Sequence, residues 1–237
     1  MKLQMLLPVV GGMALLGACH DRPQSTEQTT TTTTTTTSAV AAVTPPAAVT
    51  ASFDCAHALP GAETAVCANA QLAQLDVELA RLYTVVDSAP AISDAERTTL
   101  RRLQDGWKQK RDACTDTVDV AGCLTQAYAG RISDLRAAYA MAGADKAGIS
   151  LGPVSWRCPG KTELLTSTFV NGTSPVVYLH RDTSSVLLTQ AASASGARYA
   201  ATTPDGAYEF WTKGNESTFT VPGAAAVTCT LADKTTV

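Results

Sequence analysis

The chain has 237 residues, 45% of them hydrophobic, and a formal net charge of -3 at pH 7. That length allows one or two folded domains, and that charge gives no hint of a nucleic-acid partner. Seven cysteines against three histidines fit a disulfide-bonded exported protein better than a cytosolic metal binder, because thiols oxidise once a chain leaves the cytosol.

Residues 1–18 carry one early cation, Lys2, followed by an apolar run through Leu16. The run is too short to span a bilayer and reads as a signal peptide. Leu16-Gly17-Ala18-Cys19 resembles a bacterial lipobox. The resemblance implies that Cys19 becomes the lipidated first residue of the mature protein, held in a membrane by acyl chains at ~0.8 kcal/mol per buried methylene. His20 at the next position points, by the usual bacterial sorting pattern, to the outer membrane of the cell envelope, facing the periplasm. Residues 19–50 have almost no large apolar side chains, and they include the threonine run Thr29 to Thr37 and the pair Pro45-Pro46. Such a composition cannot bury enough surface to fold. As a flexible tether it would span roughly 30 Å.

Once Cys19 is assigned to lipid, six cysteines remain. Cys55, Cys67, Cys114 and Cys123 fall in one segment, and Cys158 and Cys229 bracket another. Four cysteines allow three pairings; short local loops favour Cys55 with Cys67 and Cys114 with Cys123, and Cys158 with Cys229 would tie a first strand to a last. With no Cys-x-x-Cys and only His20, His57 and His180 available, a metal site is not expected.

Residues 51–145 read as helices. Leu72, Leu75, Leu79, Leu82 and Val86 recur at steps of three and four, as do Leu100, Leu103 and Trp107, then Leu124, Tyr128, Ile132, Leu135 and Tyr139. Asn69 and Ser93 are expected helix caps, and Ser93-Asp94-Ala95-Glu96 spells a capping box. Gln104, Trp107, Arg111 and Cys114 share one helical face, the pattern of a packed face tied off by a disulfide. Phe53-Asp54-Cys55, Val66-Cys67-Ala68-Asn69-Ala70-Gln71-Leu72, and Leu103-Gln104-Asp105-Gly106-Trp107 running on to Cys114 resemble the LprI-type domain, which includes lysozyme-inhibitory members. The resemblance covers most of this segment.

Residues 142–153, rich in Gly and Ala, read as an interdomain connection. Beyond it the period changes to two: Val176, Tyr178 and His180 alternate with Val177, Leu179 and Arg181. Turns are expected at Asn171-Gly172 and at Asp182-Thr183-Ser184. Six to eight short strands over residues 152–237 suggest a small antiparallel β-barrel. The fold class expected is therefore two domains, a small disulfide-tied all-α module followed by that barrel.

Ser195-Gly196-Ala197-Arg198-Tyr199 and Tyr208-Glu209-Phe210-Trp211-Thr212-Lys213-Gly214 read as a β-hairpin turning at Thr202 to Gly206. Together they resemble the paired motifs of the MliC/PliC family, bacterial envelope proteins that inhibit c-type lysozyme. In that family a loop enters the enzyme's cleft and offers a serine hydroxyl and a lysine ammonium to the catalytic carboxylates. Carried over, these are Ser195 and Lys213, with Gly196, Arg198, Tyr199 and Gly214 beside them. A retaining glycosidase sets its two carboxyl groups roughly 5 Å apart, so one hydroxyl donor and one cation can satisfy both. Tyr199 and Trp211 are expected to pack. The connection Ala200 to Ala207 is longer than the family's.

The partner implied is c-type lysozyme, with a membrane engaged through the lipid anchor and no cofactor. Catalysis is not expected: Ser195 lies outside a Gly-x-Ser-x-Gly elbow, and the nearest histidine in sequence, His180, sits on an expected strand. The alternative reading is a non-catalytic envelope module that binds glycan fragments or an apolar ligand in a barrel mouth.

Overall fold

The computed structural model describes residues 50–232; the expectations for Cys19, the signal peptide and most of the tether lie outside them. Five helices come first: α1 (Ala62–Ala68), α2 (Ala70–Asp87), α3 (Asp94–Asp112), α4 (Val120–Ala138) and α5 (Ala140–Ala144). The starts of α2, α3 and α4 are set by side chains that satisfy the first free N–H groups. The Asn69 side chain accepts from Gln71 and Leu72 N–H, Asp119 accepts from Gly122 N–H, and Ser93 with Glu96 closes the expected capping box. Leu72, Leu75, Leu79, Leu82 and Val86 of α2 pack with Leu124, Tyr128, Ile132 and Leu135 of α4, all nearly inaccessible. In α3, Leu100 is buried but Leu103 is 43% exposed, because α3 lies at the edge of the module. Trp107 donates its indole N–H to the Ala127 carbonyl at 2.9 Å and meets Tyr128 edge-on, while Arg111 stacks over its ring. Two disulfides tie this module. Cys55–Cys67 joins the single turn Cys55–His57 to α1, and Cys114–Cys123 joins the turn after α3 to the first turn of α4.

Eight antiparallel strands follow and close into a barrel in sequence order: β1 (Ser150–Arg157), β2 (Leu165–Val170), β3 (Val176–Arg181), β4 (Ser184–Ala191), β5 (Ala197–Thr203), β6 (Gly206–Lys213), β7 (Glu216–Thr220) and β8 (Val227–Leu231). β1 meets β8 through only two paired positions, Trp156 with Leu231 and Arg157 with Thr230. The Cys158–Cys229 disulfide sits beside this narrow seam. Trp156, Leu165, Val177, Leu179, Leu188, Tyr199 and Phe210 fill the interior.

Helices and barrel share a core. In β2 and β3 the odd-numbered side chains point into the barrel, while Thr168, Val170, Val176 and Tyr178 point out against the helices. Val170 and Val176 are 1% exposed and belong to the helical cluster. Arg136 of α4, 3% exposed, donates to the carbonyls of Gly152, Gly143 and Asp145 and to the Ser150 hydroxyl. Glu78 of α2, also 3% exposed, accepts from the Ser150 N–H and hydroxyl and from Nε and Nη2 of Arg81, whose Nη1 pairs with Asp145. The stretch 142–153 thus holds the end of α5, the start of β1 and the groups that anchor one to the other. The β2–β3 connection, residues 171–175, is a five-residue loop rather than a two-residue turn. It docks on α2, where Gln74 accepts from Thr173 N–H at 2.7 Å.

Candidate functional site

The motif residues gather on two loops at one end of the barrel. β4 and β5 are joined by residues 192–196, and β6 and β7 by Gly214-Asn215. Ala197 pairs with Thr212, and Lys213 pairs with Glu216 across the turn, so one further step along β5 brings Gly196 beside Lys213. Gly196 has φ +70°, and a Cβ there would lie 2.2 Å from the Thr212 carbonyl oxygen and 3.3 Å from the Lys213 Cβ. Glycine alone permits that approach, and it places Ser195 where the chain leaves the sheet next to the end of β6. Gly214, φ +61°, supplies the left-handed residue of the tight turn that ends the strand at Lys213.

Ser195 and Lys213 are both exposed. The backbone of Ser195 is held in place. Its carbonyl accepts from the Ser193 hydroxyl at 2.7 Å and from the Trp211 indole N–H at 2.8 Å, and its own N–H donates to the Ser193 hydroxyl. Lys213 takes part in none of the ion pairs among the described residues. The result is that Ser195 and Lys213 stand on neighbouring loops at one end of the barrel, on backbone fixed by a closed sheet.

The other motif residues have different places. Arg198 lies on the outer face, where its Nε donates to Glu209 at 2.9 Å; that carboxylate raises the guanidinium above its ordinary range. Tyr199 is 2% exposed inside the barrel, with its ring 5.7 Å from that of Phe169, and burial pushes its phenol upward. Trp211 corrects an expectation. It is 38% exposed on the outer face and braces the Ser195 loop instead of filling the core. The signal was present in the alternation of β6, where Glu209, Trp211 and Lys213 share one face and Tyr208 and Phe210 the other.

The connection Ala200 to Ala207 is also different from the long loop expected. β5 and β6 extend through it to a two-residue turn at Pro204-Asp205, with Thr203 paired to Gly206. That tip lies at the end of the barrel opposite Ser195 and Lys213. His180, paired with Thr166 and Ser185, sits towards the same far end, so the fold does not bring it to Ser195.

Comparison with known proteins gives two matches in chain order. Residues 55–135 match the family model described as lysozyme inhibitor LprI, and residues 156–228 match that of the membrane-bound lysozyme-inhibitor of c-type lysozyme. The chain is similar to the lipoproteins LprI of Mycobacterium bovis and Mycobacterium tuberculosis, each 30% identical over 149 residues, which is 62% of this chain and 70% of the relative. No solved structure matches.

Proposed function

Because this chain belongs to the LprI lipoprotein family, we propose that it is an envelope lipoprotein that inhibits c-type lysozyme, and that its barrel does so with Ser195 and Lys213 in the enzyme's cleft. The observation that carries this reading is the pairing of the two loops. Gly196 lies against the end of β6, so a neutral donor and a cation belong to neighbouring exposed positions at this end of the barrel. Two catalytic carboxyl groups roughly 5 Å apart are a matching target. The Ser195 hydroxyl donates to one and the Lys213 ammonium pairs with the other, each gaining strength as water is expelled. No chemical step by the inhibitor is required. In this reading Cys19 carries the lipid and fixes the protein to the periplasmic face of the outer membrane, with residues 19–50 as its tether.

Measured inhibition of a c-type lysozyme by purified soluble protein tests the mechanism. Lys213→Ala leaves a carboxylate in the cleft without its partner and should cost about 2 to 5 kcal/mol of binding, with Lys213→Glu worse. Ser195→Ala removes a hydrogen bond to a charged acceptor, about 1.5 to 3 kcal/mol. Folded Ser195→Ala and Lys213→Ala variants that inhibit as well as the parent would sink the reading.

A further inference from the structure

The end of the barrel remote from Ser195 and Lys213 is open where the rest of the interior is filled. A hollow of about 230 Å³ enters it between the first residues of β2, β4 and β6 and the last of β3 and β7. Its floor is Leu165 and Leu179, both 1% exposed, and Val186, Phe219 and Val221 line its walls. A second hollow of about 200 Å³ shares Arg181, Phe219 and Val221 with the first and adds Lys161. Protein interiors are normally packed without voids larger than a water molecule, and a barrel of eight strands has room for side chains or for one small ligand. An apolar cavity with a few convergent polar groups is the usual form of a ligand site.

We propose that this end of the barrel binds a small anionic amphiphile, an unbranched alkyl carboxylate whose chain lies in the first hollow and whose head group meets Arg181. The apolar part of the lining, Leu165, Leu179, Val186, Phe219 and Val221, and the run of the two hollows along Phe219 and Val221 suit a chain, while Tyr208, Arg181, Ser184 and Ser185 make the rest of the first hollow polar or aromatic. The sign of the head group follows from the cations. Arg181 borders both hollows, with Ser184 and Ser185 as neighbouring hydroxyl donors in the first and Lys161 in the second. Arg181 and Lys161 take part in none of the ion pairs among the described residues. Asp182 and Asp205 occupy turns at this end but line neither hollow. The competing carboxylate is Glu163, which also lines neither hollow but feels the charges of Lys161 and Arg181. Hydrogen bonds from the Thr162 hydroxyl and from its own backbone N–H hold it below its ordinary range, with smaller help from Lys161 and Arg181. A carboxylate bound at Arg181 would compete with Glu163 for the field of that guanidinium.

Calorimetric titration of the full mature protein with decanoate, 1-decanol and decyltrimethylammonium, each below its micelle concentration, tests this. Decanoate should bind at a single saturable site, more tightly than decanol by about ten-fold, and the cationic amphiphile should not bind there. Arg181→Gln should erase the advantage of decanoate and leave decanol unaffected. Glu163→Gln should tighten decanoate, a direction that general damage to the fold would not produce. Val186→Trp fills the hollow and should abolish binding of both ligands while the melting temperature stays close to the parent's. Equal affinity for the three head groups, decanoate binding unchanged in Arg181→Gln, or no saturable binding would overturn the proposal. Lysozyme inhibition by Arg181→Gln is expected to match the parent's, so this site and the Ser195 and Lys213 site stand or fall separately.

Discussion

The Ser195 carbonyl accepts two hydrogen bonds, from Ser193 within the loop and from Trp211 across the sheet. The second ties an exposed loop to a rigid strand. Trp211→Phe keeps an aromatic ring on the outer face and deletes only the N–H. Its stability cost should be about 1 kcal/mol or less, because the carbonyl stays bonded to Ser193 and reaches water. Its effect on inhibition should be larger, since the loop that offers Ser195 loses its brace; paired inhibition and melting measurements check this. Tyr199→Ala is the opposite case. Emptying a site 2% exposed inside the barrel should cost about 3 to 5 kcal/mol, with inhibition lost only as the fold is. Gly196→Ala combines a strained left-handed backbone with a Cβ 2.2 Å from a carbonyl oxygen, so it should lower both readouts by moving the loop away from Lys213.

At the scale of the element, the barrel is weakest where β1 meets β8, with two paired positions and a disulfide that closes a separation of 71 residues. In the loop-entropy treatment, removing a cross-link of that span costs about 4 kcal/mol. The double variant Cys158→Ser, Cys229→Ser should therefore show a large fall in denaturation midpoint, read directly by urea titration. The β5–β6 hairpin behaves differently. Its tip lies at the far end from Ser195 and Lys213, and insertions or changes at exposed tips are well tolerated. Pro204→Asn with Asp205→Gly should leave lysozyme inhibition unchanged. A loss of inhibition in that variant would mean that the far end of the barrel takes part.

At the scale of the whole molecule, the helices and the barrel are joined by buried polar groups and a shared apolar surface. Arg136 alone makes four hydrogen bonds to residues 143–152. Arg136→Ala leaves those acceptors without a donor in a water-poor site, and an unsatisfied buried group costs about 1 to 3 kcal/mol. It should destabilise both parts together. Unfolding followed by far-UV dichroism, which reports the helices, and by tryptophan fluorescence, which includes Trp156 in the barrel, should give coincident midpoints for the parent and a common shift for the variant. Two separate midpoints would show that the junction is energetically weak. Residues 51–145 or 152–237 expressed alone would expose Val170 and Val176 or the helical surface that covers them, and are expected to fold poorly.

Much of this was legible in the chain itself. Local rules set the caps at Asn69 and Ser93, the leucine spacing of α2 and the pairing of the four clustered cysteines, because each depends on residues a few positions apart. The alternation along β6 even sorts Trp211 with Lys213, although an aromatic side chain in a strand is by type alone expected to pack inside. The tertiary structure decided what faces what. Val176 and Val177 are adjacent apolar residues on opposite faces of β3, and the sequence says only that both faces are apolar there; it took the packed chain to set one against the helices and the other inside the barrel. In the same way the motif named Ser195 and Lys213, but the sheet register brought them to one end and sent Pro204-Asp205 to the other. Periodicity records which face of an element avoids water, and only the assembled fold determines which other surface covers it.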